Sequence, residues 1–172
     1  SHFQKSPKCG TSFYQKNGEL RLSGLKMVQM LKAVLEKGVP CRFRAKGSSM
    51  APFIRNGDVI TISPSFDSPI RLGDVGAFIR PIRGTLAVHR IVRKKSGYFL
   101  AKGDNKHNGN EIIPNANLLG LVTRVERDGK SVSIGLGPER YLISFLSRNG
   151  YLSPVLIYAS KIVRPFRKRF GL

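Results

Sequence analysis

Between Cys41 and Gly135 the chain meets turn-forming residues roughly every 8–12 positions, a spacing that suits short strands and leaves little room for helices. Arg83-Gly84, Ser96-Gly97 and Asp128-Gly129 are the sharpest of these breaks, and Asp-Gly is a signal for a tight hairpin. Between breaks the apolar period is two. Cys41, Phe43 and Ala45 alternate with Arg42, Arg44 and Lys46, as they would on a half-exposed strand. The same reasoning predicts strands over 58–63, 75–80, 85–93, 98–102, 118–127 and 130–134. Residues 47–57 read as a loop or short helical turn, 64–71 as a connection rich in Pro, Ser and Asp, and 103–117 as a long polar loop. Residues 41–135 are therefore expected to form a compact antiparallel β unit, making the protein mainly β.

The flanks differ. Residues 1–18 are polar, lack periodicity and read as a tail. Leu25, Val28, Leu31 and Leu35 then fall at helical spacing, with Ser23 as a candidate cap, Gly38 as a stop and Pro40 forbidding continuation. Residues 1–40 thus form an arm and one N-terminal helix. Residues 136–172 read as a basic, amphipathic tail of C-terminal helices packed on or beside the β unit.

Hydrophobic residues make up 41% of the chain, enough for a buried core rather than disorder throughout. Lys and Arg number 30 against 10 Asp and Glu, a balance of +20 that favours anionic partners. Two cysteines, Cys9 and Cys41, make no disulfide framework, and two free thiols are the simpler expectation. Together with three scattered histidines they make no zinc pattern, so neither metal nor cofactor is expected. No run of about 18 apolar residues suggests a spanning helix. Nor does the start show a basic, apolar, small-residue leader. The expected setting is cytoplasmic or peripheral to a membrane.

A serine hydroxyl becomes a useful nucleophile only when a neighbouring base takes its proton. Ser49 lies in a Gly- and Pro-punctuated loop, where a side chain can be presented at a surface. His89 falls in an alternating strand. Leu86, Val88, Arg90 and Val92 face one side, while Ala87, His89, Ile91 and Arg93 face the other. A histidine on a partly apolar face is either a satisfied core residue or a general base. Arg90 cannot serve as the base, because its guanidinium does not usefully deprotonate.

The segment Gly47-Ser48-Ser49-Met50-Ala51-Pro52, followed by Gly57-Asp58, resembles the first motif of the S24/S26 peptidase superfamily of signal peptidases and self-cleaving repressors. Gly73-Asp74-Val75-Gly76-Ala77-Phe78, Val88-His89-Arg90-Ile91-Val92, Ala101-Lys102-Gly103-Asp104-Asn105 and Leu119-Gly120-Leu121-Val122 follow in the family's order. The resemblance spans roughly residues 42–126. It implies a β unit of the signal-peptidase or repressor-cleavage type. It also implies a serine endopeptidase with Ser49 as nucleophile and His89 as base, acting on a leader or signal-like peptide. A histidine at this place resembles the type I signal-peptidase branch found in archaea, the endoplasmic reticulum and some spore-forming bacteria, where others have lysine.

By the same resemblance Asp104 orients His89, and Met50 and Pro52 shape the substrate cleft. The place of the family's oxyanion-donor serine is taken by Gly47, which leaves the Ser49 N–H as the oxyanion donor. The Ser48 hydroxyl is either a second donor or that of a plain loop serine. In the histidine branch a second aspartate follows about six residues later. Here that place is Asn110, with Glu111 beside it as the acidic alternative. Asp58 and Asp74 read as turn residues and His107 as a surface histidine. The expected substrate is an extended peptide along a sheet edge.

Two further functions stay open. The fold can serve as a catalytically weak or inactive peptide-binding module, or the charge can serve a nucleic-acid-binding regulator. No helix-turn-helix precedes the β unit, which counts against nucleic acid. The tail mixes cations with aromatics over Arg164-Pro165-Phe166-Arg167-Lys168-Arg169-Phe170. That mixture suits an anionic membrane surface, nucleic acid, or simply a solvated end of packed helices.

Overall fold

The computed structural model describes residues 15–16, 19–20, 24–64, 69–106, 109–152 and 154–156. A two-stranded hairpin pairs β1 (Gln15–Lys16) with β2 (Glu19–Leu20). Helix α1 (Gly24–Glu36) follows, then β3 (Cys41–Arg44), β4 (Val59–Pro64), β5 (Val75–Ile79), β6 (Leu86–Lys95), β7 (Tyr98–Lys102), β8 (Glu111–Pro114), β9 (Leu118–Arg127) and β10 (Lys130–Ser131). Helix α2 (Arg140–Arg148) comes next. The main sheet has eight strands, all paired antiparallel, in the order β3-β4-β9-β5-β6-β7-β8, with β10 added to β9. The protein is mainly β, as the sequence predicts.

Alternation explains most of the packing. In β4, Ile60 and Ile62 are fully buried while Val59 and Thr61 are half-exposed. Leu31 and Leu35 of α1 join Ile60, Ile62, Val75, Val122 and Val125 in one apolar cluster, which Met50 and Ile54 of the following loop complete. Phe78, Ile91, Phe99, Ala101 and Ile113 form a second. Burying each such side chain contributes on the order of 1.5–3 kcal/mol before entropy is counted.

The structure corrects three expectations. The polar loop expected over 103–117 contains β8, which pairs with β7 through Tyr98↔Pro114 to Ala101↔Glu111. Asparagines flank this strand and its apolar core is only Ile112-Ile113, so periodicity could not reveal it. The strand expected over 130–134 stops at Ser131, and Ile134 is exposed. Part of the expected tail over 1–18 is the β1–β2 hairpin. Ser23, Cys9, His107 and the basic end beyond 156 lie outside the described residues.

Candidate active site

The Ser49 loop begins where β3 ends. Ala45 N–H donates to Asp58 C=O (2.7 Å) and Gly57 N–H to Ala45 C=O (2.9 Å), closing the loop at its neck. Asp58 fastens the far side. Its Oδ2 accepts from Arg55 N–H (2.7 Å), and both oxygens accept from Arg127 (2.9 and 2.7 Å). This supports the reading of Asp58 as a turn residue, and Asp74 behaves likewise, accepting from Arg71 N–H (2.8 Å). Within the loop Ser48 is exposed, Ser49 and Pro52 are half-buried and Met50 is buried. The Ala51–Pro52 peptide bond is cis.

The turn after β7 meets this loop. Asn105 N–H donates to Ser49 C=O (2.9 Å). Gly103 packs so closely that a Cβ there would lie 2.6 Å from Ser49 O and 3.2 Å from Ser49 Cβ. Only glycine permits this approach without moving backbone. Gly103→Ala is accordingly expected to cost about 1–3 kcal/mol through displacement of the Ser49 loop. A urea midpoint unchanged from the parent's would contradict the close packing.

The same turn adjoins His89. In the β6–β7 ladder Arg90 faces Lys102, so the next residue of each strand brings Gly103 level with His89. The root of Ser49 therefore stands at the His89 end of that ladder. His89 itself is buried. Its partner comes from β8. Ile91 faces Ala101, Ala101 faces Glu111, and Ile91 shares its strand face with His89. Glu111 Oε1 consequently lies 3.4 Å from His89 Nδ1, although Nδ1 is buried and the alignment falls short of a hydrogen bond.

Other cations claim the same carboxylate. Arg80 donates to it twice, Nε to Oε2 (2.8 Å) and Nη2 to Oε1 (3.0 Å), and Lys106 Nζ reaches Oε1 at 3.3 Å. The Arg80 hydrogen bonds lead in holding Glu111 down at about 2, against burial. Burial pushes His89 down to about 4. Glu111 pulls it up, while Lys106 and Arg80 push it further down. At neutral pH the imidazole is neutral and the carboxylate ionised, the protonation states that a general base and its orienter need.

Asp104 lies elsewhere. Both of its oxygens accept from Arg90, from Nε at 2.9 Å and from Nη2 at 2.7 Å, and both side chains are wholly buried. Arg90 Nη1 also donates to Gly73 C=O (2.7 Å) and Gly135 C=O (2.8 Å), and the guanidinium stacks over Phe53 at 5.4 Å. The expected Asp104–His89 contact is thus replaced by an Asp104–Arg90 pair. His89 and Arg90 are adjacent on a strand, so their side chains leave on opposite faces, and Asp104 joins the Arg90 face.

The sequence did not single out Arg80 or Lys106. Arg80 stands 31 positions from Glu111, and no local pattern connects them. Among the described residues no set of three or more His, Cys, Asp or Glu side chains is gathered as a metal site. No helix among them is long and apolar enough to cross a membrane.

A family model described as Peptidase S24-like matches residues 16–124. No curated protein matches the chain.

Proposed function

Because the chain belongs to the S24-like peptidase family, whose fold is of the serine-peptidase and repressor-cleavage type, we propose that it is a serine endopeptidase acting on an extended leader or signal-like peptide. Ser49 is the nucleophile, His89 its general base and Glu111 the acid that orients His89. The observation that carries this reading is the buried His89 Nδ1, 3.4 Å from an ionised Glu111, at the level of Gly103 where Ser49 packs. His89 Nε2 takes the Ser49 proton as the hydroxyl attacks the scissile carbonyl, then returns it to the leaving amine. The Ser49 N–H, assisted by the Ser48 hydroxyl, steadies the oxyanion. Pro52 lines the approach, whereas Met50, expected at the cleft, is buried in the first apolar cluster and supports the loop from beneath. The peptide is held as an added strand, where backbone hydrogen bonds give affinity independent of its sequence.

Glu111 and Arg80 supply the test. Cleavage of a peptide library, read by mass spectrometry, is expected to fall about a hundredfold in Glu111→Gln, since the imidazole loses its orienting charge. The acid limb of kcat/KM is expected near pH 4 in the parent, where His89 becomes protonated and the base is lost. In Arg80→Gln the carboxylate is released toward His89. The protonated imidazole is then stabilised, and the acid limb moves upward toward neutrality. Parent-like rates in Glu111→Gln, with an unmoved limb in Arg80→Gln, would remove Glu111 from the site. A chain that binds such peptides and cuts none is instead a binding module of the same fold.

A further inference from the structure

Helix α2 is turned against the usual sense of a surface helix. Its inner side is mostly small and polar. Ser144 and Ser147 are buried beside Ile143, with Ser144 Oγ donating to Ile91 C=O (3.3 Å) and Ser147 C=O accepting from Lys102 Nζ (2.8 Å). Its outer side carries Tyr141, Leu142 and Phe145, which are 48%, 61% and 56% exposed. Tyr151 and Val155, just beyond, are exposed as well. A helix facing only water puts its apolar residues inward. A cluster of large apolar groups left outside marks a surface that something else covers.

The surrounding charge indicates what covers it. The Arg140 guanidinium sits over the Tyr141 ring at 5.1 Å but also pairs with Asp74 (3.4 Å), while that of Arg148 lies over Phe145 at 6.0 Å and frames the apolar groups. No acidic residue follows Glu139, while Arg140, Arg148, Lys161, Arg164, Arg167, Lys168 and Arg169 do. A second copy carries the same +20 charge and is repelled. Tyrosine and phenylalanine interleaved with arginine suit the boundary between phosphate headgroups and acyl chains, where rings enter the apolar layer and guanidinium groups stay with the phosphates.

We propose that the outer face of α2 docks on an anionic lipid bilayer, with Tyr141, Leu142 and Phe145 entering the interface and Arg148 engaging lipid phosphates. This docking stands on α2 alone and does not depend on Ser49 or His89.

The test is co-sedimentation of the whole chain with vesicles of phosphatidylcholine, alone or with roughly one third phosphatidylglycerol, at about 0.15 M salt. The parent is expected to bind the anionic vesicles and to leave the neutral ones largely bare. A Leu142→Ser, Phe145→Ser double variant keeps every charge, and both side chains are exposed, so its melting temperature should match the parent's. Its affinity for the anionic vesicles is expected to fall about tenfold. Parent-like binding by that variant would overturn the proposal by assigning the attraction to charge alone, and so would a parent that stays in the supernatant. A concentration-dependent dimer of the parent, abolished in the same variant, would also overturn it by giving the face to a second copy.

Discussion

Ser49→Ala is expected to remove peptide cleavage, by at least about a thousandfold, while leaving the protein as stable as before. The two halves have separate causes. The Ser49 contacts that hold the loop are made by its backbone, since the C=O accepts from Asn105 N–H and the Cβ, which alanine keeps, rests on Gly103. Stability should therefore change by no more than about 0.5 kcal/mol. The hydroxyl alone is lost, and with it the only atom that the proposed mechanism gives as nucleophile. The measurement pairs mass spectrometry of the peptide products with a thermal melt. Cleavage persisting at the parent's rate in a folded Ser49→Ala variant rules out Ser49 as nucleophile.

Asp104→Asn is expected to act the other way, on the fold before the chemistry. The variant leaves the Arg90 charge buried without its anion, and breaking one side of a buried ion pair costs about 3–5 kcal/mol. Arg90 also ties together Gly73, Gly135 and the Phe53 ring, so the loss spreads to the turn before β5, the segment between β10 and α2, and the Ser49 loop. Urea midpoints measure it directly. An Arg90→Met, Asp104→Leu double variant should recover part of the loss, because it removes the unpaired buried charge but leaves the Gly73 and Gly135 carbonyls without their donor. Comparison with Glu111→Gln separates the two acids. Glu111→Gln should lower stability through its lost Arg80 and Lys106 contacts but impair cleavage even in the folded population, whereas Asp104→Asn should impair cleavage only as the population unfolds. An Asp104→Asn variant that is fully stable yet inactive would return the orienting role to Asp104.

These expectations differ because the two carboxylates, close in sequence, serve opposite faces of the sheet. That the chain leaves its strand after Lys102 is legible, since Gly and Asp favour turns through their own backbone chemistry, but that this turn meets the serine loop comes from the tertiary structure. The carboxylate that faces His89 could not be read the same way. It depends on β8, a strand of Glu-Ile-Ile-Pro hidden among asparagines, and on the register that sets Ala101 opposite Glu111. The irregularity of β6 between Ile91 and Arg93 also shifts pairing along that ladder. Sequence order carries no record of such a shift.

The sequence by itself determined that this protein is mainly β, that α1 stops before Pro40, that Ser49 lies in a presented loop and that His89 and Arg90 leave their strand on opposite sides. Each of these follows from forces acting within a few residues: the two-residue alternation, the fixed φ of proline, the turn preference of glycine. Only the tertiary structure decided that Arg90 takes Asp104, that Arg80, Lys106 and His89 converge on Glu111, and that α2 buries its serines while Tyr141, Leu142 and Phe145 remain outside. Those choices are made between residues tens of positions apart, where strand register and the cost of burying an unpaired charge decide which partners meet.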